Sequence, residues 1–203
     1  MFYEPRLGHG LPRDPFKSLV VPRPIGWIST VDLDGRINLA PFSFYNAVAD
    51  SPPQVIYAAN GRKPDAPTKD SRANAEATGC FVVNLATWEL RAAMNVTSAH
   101  LPVGEDEMAA AGLTPAPARL VAAPLVAESP VNLECRYLQT VMLASDDPAE
   151  PNALVVGEVV GIHIRDDFLT NGRVDVARLK PIARLGYAQY TAVETVFEMR
   201  RPE

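Results

Sequence analysis

The chain has 203 residues, of which 47% are hydrophobic and 21% charged, with a formal net charge of −5. That length suits a single domain over 1–203 with a sizeable core. The acidic balance argues against a nucleic-acid surface, which needs clustered Lys and Arg, and no apolar run is long enough to cross a bilayer. The N-terminus, MFYEPRLGHGLPRDPF, lacks the basic-then-apolar layout of a secretory signal, so a cytoplasmic protein is expected.

Residues 1–24 read as an irregular arm, because Pro5, Pro12, Pro15, Pro22 and Pro24 prevent a long regular element. Phe16, Leu19, Val20 and Val21 are expected to anchor it on the core. Arg23, held between two prolines, has a restricted backbone and is a candidate anion contact or a solvated charge. Ile25–Val31 alternates as a strand, with Ile25, Trp27, Ser29 and Val31 on one face and Gly26, Ile28 and Thr30 on the other. Ser29 and Thr30 place adjacent hydroxyls near its end.

Asp34-Gly35 is a hairpin signal, because Gly supplies a positive φ without steric cost. The next stretch, Asn38–Asn46 (NLAPFSFYN), is unlike an ordinary strand. Pro41 cannot donate a ladder hydrogen bond, so it frees a partner carbonyl or marks an edge. Alternation turns Phe42, Phe44 and Asn46 one way and Ser43 and Tyr45 the other. The mixture of aromatic faces with a few polar groups suits a flat heteroaromatic ligand as well as it suits a hairpin core. Ser51-Pro52-Pro53 breaks the chain, and Gln54–Ala59 reads as a strand.

Asn60–Thr68 is a loop by composition. A short helix follows, capped by Asp70 or Ser71 and stopped by Gly79. Its opening Lys69-Asp70-Ser71 can bind an anion through free N–H groups, the helix dipole and side-chain donors. Cys80–Ala86 is a buried strand, and Thr87 caps a helix over Trp88–Asn95. Residues 95–124 read as a poorly patterned excursion with a short acidic-started helix over Gly104–Gly112; it either shapes a substrate entrance or crosses the surface.

Val131–Leu143 and Ala153–Arg165 are long strands, and Gly157 and Gly161 in the second signal a bulge, a bend or a close backbone approach. Asn171-Gly172 marks a turn, and Ile182–Tyr190 and Val193–Met199 are expected to close the chain as strands. Cys80 and Cys135 both sit in apolar runs and read as buried thiols. Three scattered histidines and the absence of CxxC spacing give no metal signal. Gly8-His9-Gly10 lies in the irregular arm, so no Rossmann fingerprint is present, and no GxSxG elbow or Walker loop occurs.

Three stretches, PRPIGWISTVDLDGRINLAPFSFYNAV (22–48), KDSRANAEATGCFVVNLAT (69–87) and RLGYAQYTAVETVFEMRRP (184–202), resemble in order the flavin reductase-like family of FMN-binding split barrels. The RLGYxxY segment is similar to the flavoredoxin-like branch. The resemblance implies a mainly β fold, a six-stranded antiparallel Greek-key split barrel with flanking helices. It implies a homodimer that binds FMN and oxidises NADH or NADPH, sometimes supplying a monooxygenase. The alternative it leaves is an electron-transfer protein that keeps FMN without strong NAD(P)H activity. By the same resemblance, Ser29 and Thr30 lie near the flavin. Asn38, Ala40, Pro41, Phe42, Ser43, Phe44 and Asn46 line its ring, and Lys69, Asp70, Ser71 and Arg72 form the phosphate end. His163 falls where relatives often place a histidine on the nicotinamide side. Hydride chemistry belongs to the flavin, so neither a nucleophile nor paired carboxylates are required.

Overall fold

A computed structural model describes residues 1–64, 66–101 and 105–202. Asp65 of the 60–68 loop and Pro102, Val103 and Gly104 of the 95–124 excursion lie outside the described residues.

The arm holds a 3-10 turn at Pro5–Leu7, a short helical turn, α1 (Phe16–Leu19), and a two-residue strand, β1 (Arg23–Pro24). The chain continues through β2 (Gly26–Val31), β3 (Ile37–Phe42), β4 (Tyr45–Asp50), β5 (Pro53–Ala58), α2 (Asp70–Thr78), β6 (Cys80–Leu85), α3 (Arg91–Val96) and α4 (Glu107–Ala110). Two short strands, β7 (Pro115–Ala116) and β8 (Leu125–Val126), precede the long hairpin of β9 (Val131–Leu143) and β10 (Asn152–Ile164). A small hairpin, β11 (Leu169–Thr170) and β12 (Arg173–Val174), leads to α5 (Val176–Leu179), β13 (Ile182–Arg184) and β14 (Tyr190–Ala192).

The main sheet runs β3-β2-β6-β9-β10-β5-β4, with every neighbouring pair antiparallel. Its edges, β3 and β4, are consecutive in the chain and separated only by a bend at Ser43 and Phe44. The sheet therefore curls until its edges meet, and β3 and β4 are two halves of one bent strand. Counted by segment the sheet has seven strands, where six were expected. Gly26 holds the seam, because a Cβ there would lie 2.7 Å from the Tyr45 ring across it. Pro41 sits on the edge half, as its missing N–H requires. The bend overturns the simple alternation expected for 42–46. Phe42 and Tyr45 both pack on the barrel core, and the Phe42 ring lies 5.0 Å from that of Tyr57.

The two faces of β2 separate as their alternation predicts. Ile28 enters the barrel core with Val55, Tyr57, Phe81, Val83, Cys135 and Val155. Trp27 turns outward into a second core with Leu39, Met94, Met108 and Val126, where its indole N–H donates to Thr97 Oγ1 at 2.9 Å. The register of β9 and β10 shifts at Gly157 and again before Gly161. At Gly157 a Cβ would lie 2.4 Å from the Phe81 ring, so the strand approaches the core too closely for any side chain. Both cysteines are buried and free.

Several expectations change. Phe16, Leu19, Val20 and Val21 do not anchor the arm; all four are exposed. Polar contacts hold it instead, with the Arg23 guanidinium reaching back to the carbonyls of Lys17 and Val20. Val193–Met199 forms no strand, and Val196, Phe197 and Met199 are exposed, because no strand among the described residues lies alongside to pair with it. The helix expected at Trp88–Asn95 begins at Arg91, after a turn in which Thr87 Oγ1 accepts from Leu90 N–H.

Candidate functional site

The first turn of α2 faces the edge half-strand β3. Lys69, not Asp70 or Ser71, is the N-cap residue, and its carbonyl accepts from Arg72 and Ala73 N–H. Ser71 is displaced from capping because its side chain turns inward, where Oγ accepts from Asn38 Nδ2 at 2.8 Å. The Tyr57 hydroxyl donates to the Ser71 carbonyl at 2.9 Å, and burial pushes that phenol well above its ordinary pKa. Asn38 Nδ2 lies 3.5 Å and Asn74 Nδ2 3.2 Å from Thr30 Oγ1. Strand, helix start and barrel floor are thus cross-linked by amides and hydroxyls.

A cavity opens on this junction, lined by Asn38, Ala40, Pro41, Phe42, Lys63, Lys69, Asp70, Ser71 and Glu107, with 97–101 along its rim. A second hollow shares Pro41 and Phe42 with it and continues past Ser43 and Phe44 to Lys17 and Asn60. The two hollows adjoin at Pro41 and Phe42: the one toward Phe44 is largely aromatic and apolar, the one toward Lys69 charged and hydrogen-bonding. The 95–124 excursion contributes part of its wall.

Not every expected residue joins it. Ser29 lies on the opposite face from Thr30, as strand alternation requires; its hydroxyl donates to the Pro124 carbonyl and accepts from Asn84 Nδ2 at 3.0 Å. The Arg72 guanidinium turns along the helix to Glu76, 2.8 Å away. Asn46 is exposed on β4, and its side chain accepts from Ala47 N–H. His163 lies in a separate hollow, where Nε2 meets Glu134 Oε1 at 2.5 Å.

Two charged residues of the cavity escaped the sequence reading. Lys63 is buried and its ammonium lies 2.6 Å from Asp70 Oδ2. Glu107 is buried with Oε2 accepting from Leu39 N–H at 3.1 Å. Burial, reinforced by the charge of Asp70, raises the Glu107 pKa against the opposing pull of the Leu39 N–H and Lys63. The Thr68 hydroxyl, next to Lys69, is buried without a partner among the described residues. Nothing in NGRKPDAPT distinguishes Lys63 from a solvated loop lysine. Glu107 was legible only as part of an acidic helix start.

Chemically, the Lys69 end offers helix N–H groups and ammonium charge to an anion. The Phe42–Phe44 end offers apolar surface to a flat ring. Among the described residues no group of His, Cys, Asp and Glu is placed to hold a metal ion.

Comparison with known proteins adds to this geometry. The flavin reductase like domain family matches residues 18–189. A protein of Halalkalibacterium halodurans is 38% identical over 184 residues, covering 90% of this chain and 87% of its own. The crystal structure of nitrilotriacetate monooxygenase component B from Bacillus cereus superposes with a TM-score of 0.88 at 30% identity, covering 98% of each chain. A split barrel domain from Shewanella frigidimarina superposes with a TM-score of 0.80 at 24% identity, covering 92% of this chain and 90% of its own, and so supports the fold alone.

Proposed function

The chain belongs to the flavin reductase-like family and adopts its split barrel, and from that premise we propose that it binds FMN and uses NADH or NADPH to reduce flavin. The observation that carries the reading is the 2.8 Å hydrogen bond between Asn38 and Ser71, which ties the ring-like end of the cavity to its phosphate-like end. In this reading Asn38, Ala40, Pro41, Phe42, Ser43 and Phe44 hold the isoalloxazine, with Thr30 setting Asn38. Lys69, Ser71 and the first N–H groups of α2 hold the 5′-phosphate. The chemistry of the donor set fits FMN: an apolar hollow at Pro41–Phe44 adjoins a helix start that carries the Lys69 ammonium and the buried Ser71 hydroxyl. Lys63 offsets the Asp70 charge that would otherwise oppose a phosphate dianion. Ser29, Asn46, Arg72 and His163 fall outside this assignment.

FMN supplies hydride acceptance and release when bound. The protein's part is to orient the ring through Asn38 and the Pro41–Phe44 backbone and to leave one ring face open to a donor. The likeness to a monooxygenase component supports a role in supplying reduced flavin to a partner enzyme. The exposed apolar tail of Val196, Phe197 and Met199, with Met142 and Leu143 exposed on β9, supports a homodimer. Two free thiols suit a reducing cytoplasm. No helix among the described residues is long and apolar enough to cross a membrane.

The test is a visible absorbance titration of the purified protein with FMN, followed by NADH and NADPH oxidation with FMN present. Saturable binding with oxidation of either nucleotide is expected. Bound flavin that neither nucleotide reduces would leave the electron-carrier alternative, and no flavin binding would sink both.

A further inference from the structure

The arm and the C-terminal hairpin meet in a cluster that the flavin reading does not use. Arg23 is only 6% exposed. Its Nη1 donates to the carbonyls of Lys17 and Val20, and its buried Nε has no partner among the described residues. The hydroxyl of Ser18 is likewise buried without a partner. Gly186 lies so close to it that a Cβ there would fall 1.9 Å from Ser18 Oγ. Arg184 is the direct cross-strand partner of Arg23. It is held by the Tyr190 hydroxyl and the Tyr187 carbonyl, with its guanidinium 4.4 Å above the Tyr190 ring. Tyr187 takes a left-handed φ of 53° to present that carbonyl, and Arg13 stands 5.7 Å over its ring. Tyr187 and Tyr190 are therefore exposed supports for an arginine.

No carboxylate pairs with Arg23 or Arg184 among the described residues. Asp14, the nearest acid in the arm's sequence, accepts from Phe16 N–H. Burial and then the charge of Arg184 both lower the Arg23 pKa. A buried cation beside a second cation, with spare donors and no counter-charge, is costly unless an anion completes it.

We propose that Arg23, Arg184, Ser18 and Lys17 form a site for a phosphate group, and that it anchors the diphosphate of the nicotinamide co-substrate. Two guanidinium groups on paired strands, with the unpartnered Arg23 Nε and Ser18 hydroxyl in the same cluster, suit an oxyanion, and guanidinium groups bind phosphate oxygens in pairs. The location favours the co-substrate over the flavin's own phosphate. Arg23 Cζ lies 5.8 Å from the Phe44 ring, and Lys17 lines the hollow at Phe44, not the one at Lys69. A dinucleotide anchored there can lay its nicotinamide along the open face of a ring held at Pro41–Phe44. The assignment of the nucleotide rests on the flavin reading; the anion site does not.

Arg184→Gln and Arg23→Gln separate the two. Sodium pyrophosphate binding by calorimetry is expected to weaken about tenfold or more in each variant, as for loss of a charge-assisted contact. The KM for NADH and NADPH should rise by a similar factor, with kcat falling far less and the FMN dissociation constant within twofold of wild type. A rise for both nucleotides identifies the diphosphate, and a rise for NADPH alone assigns the site to its 2′-phosphate. Lost pyrophosphate binding with both KM values unchanged assigns it to free phosphate and overturns the co-substrate role. Unaltered pyrophosphate binding in both variants overturns the site, and weakened FMN binding returns these residues to the flavin. Should the buried Arg23 variant fail to fold, the more exposed Arg184 variant carries the test. Pyrophosphate binding remains readable even if the protein binds no flavin.

Discussion

The cavity at the start of α2 and the hollow beside His163 each contain a buried glutamate, yet the two carboxylates are treated oppositely. Glu134 accepts from Arg119 N–H at 2.9 Å, Leu120 N–H at 2.6 Å and His163 at 2.5 Å. Burial alone pushes its pKa up, but those hydrogen bonds outweigh burial and hold it below the ordinary glutamate range. Glu107 accepts from Leu39 N–H, but burial, reinforced by the charge of Asp70, outweighs that bond and its pKa is raised. The hollow beside His163 satisfies its glutamate internally and works as a clamp that ties residues 119–120 to β9 and β10. The cavity at the start of α2 leaves the Lys69 ammonium and the helix start without a partner among the described residues. Donors already used within the protein mark structure; donors left over mark a site.

The largest expected effect breaks the clamp. Glu134→Ala should cost about 3–5 kcal/mol in denaturant unfolding, because it strands two backbone N–H groups and His163. The flavin affinity of the folded fraction should be unchanged. A large loss of FMN affinity with unaltered stability would reverse the comparison and make the His163 hollow the site. Lys69→Ala is the mirror image. It should weaken FMN by about 1.5–3 kcal/mol, the worth of a charge-assisted hydrogen bond, and leave the unfolding midpoint in place. Flavin titration and denaturation on the same preparation check both halves.

A smaller effect concerns single protons. The folded pKa of Glu134 lies below the ordinary 4.5, so its stabilisation is present above that pH and is lost as pH falls through the folded value. The folded pKa of Glu107 lies above 4.5, so its contribution is complete below that pH and fades as pH rises through the folded value. Glu134→Gln should therefore flatten the acid limb of a stability–pH profile. Glu107→Gln should gain stability at neutral pH relative to pH 4 and flatten the limb above 4.5. The same slope in both variants would mean that the two carboxylates titrate alike.

Much of this contrast was legible in the residues. The Asp34-Gly35 turn, the two faces of β2, the bulges at Gly157 and Gly161 and the edge position of Pro41 all follow from local stereochemistry, which the sequence displays directly. The bend at Ser43–Phe44 was not legible, because it is imposed by barrel closure and not by its own residues. The tail at Val193–Met199 has a strand's alternation but no strand partner among the described residues, and alternation alone cannot say who pairs. Within the cavity, Lys69, Ser71 and Asn38 announced themselves through the helix-start pattern and the unusual NLAPFSFYN run. Lys63 and Glu107 arrive from distant segments and are meaningful only once folded.

Arg72 separates proximity in sequence from membership of the site. It stands one residue after Ser71 and carries the charge a phosphate wants, so the motif alone includes it. A helix turns about 100° per residue, however, and Arg72 is thereby rotated off the face that Ser71 presents to Asn38. Its guanidinium pairs with Glu76 one turn on, and Glu76 in turn accepts from Thr140 Oγ1 at 2.7 Å. Such an i,i+4 pair contributes about 0.3–0.5 kcal/mol, so Arg72→Ala should shift unfolding by no more than that. Removing it should also leave FMN affinity within twofold, against the tenfold or greater loss expected at Lys69. Equal losses at the two positions would show that Arg72 exchanges Glu76 for the phosphate on binding, and the line between used and unused donors would then run through α2 itself.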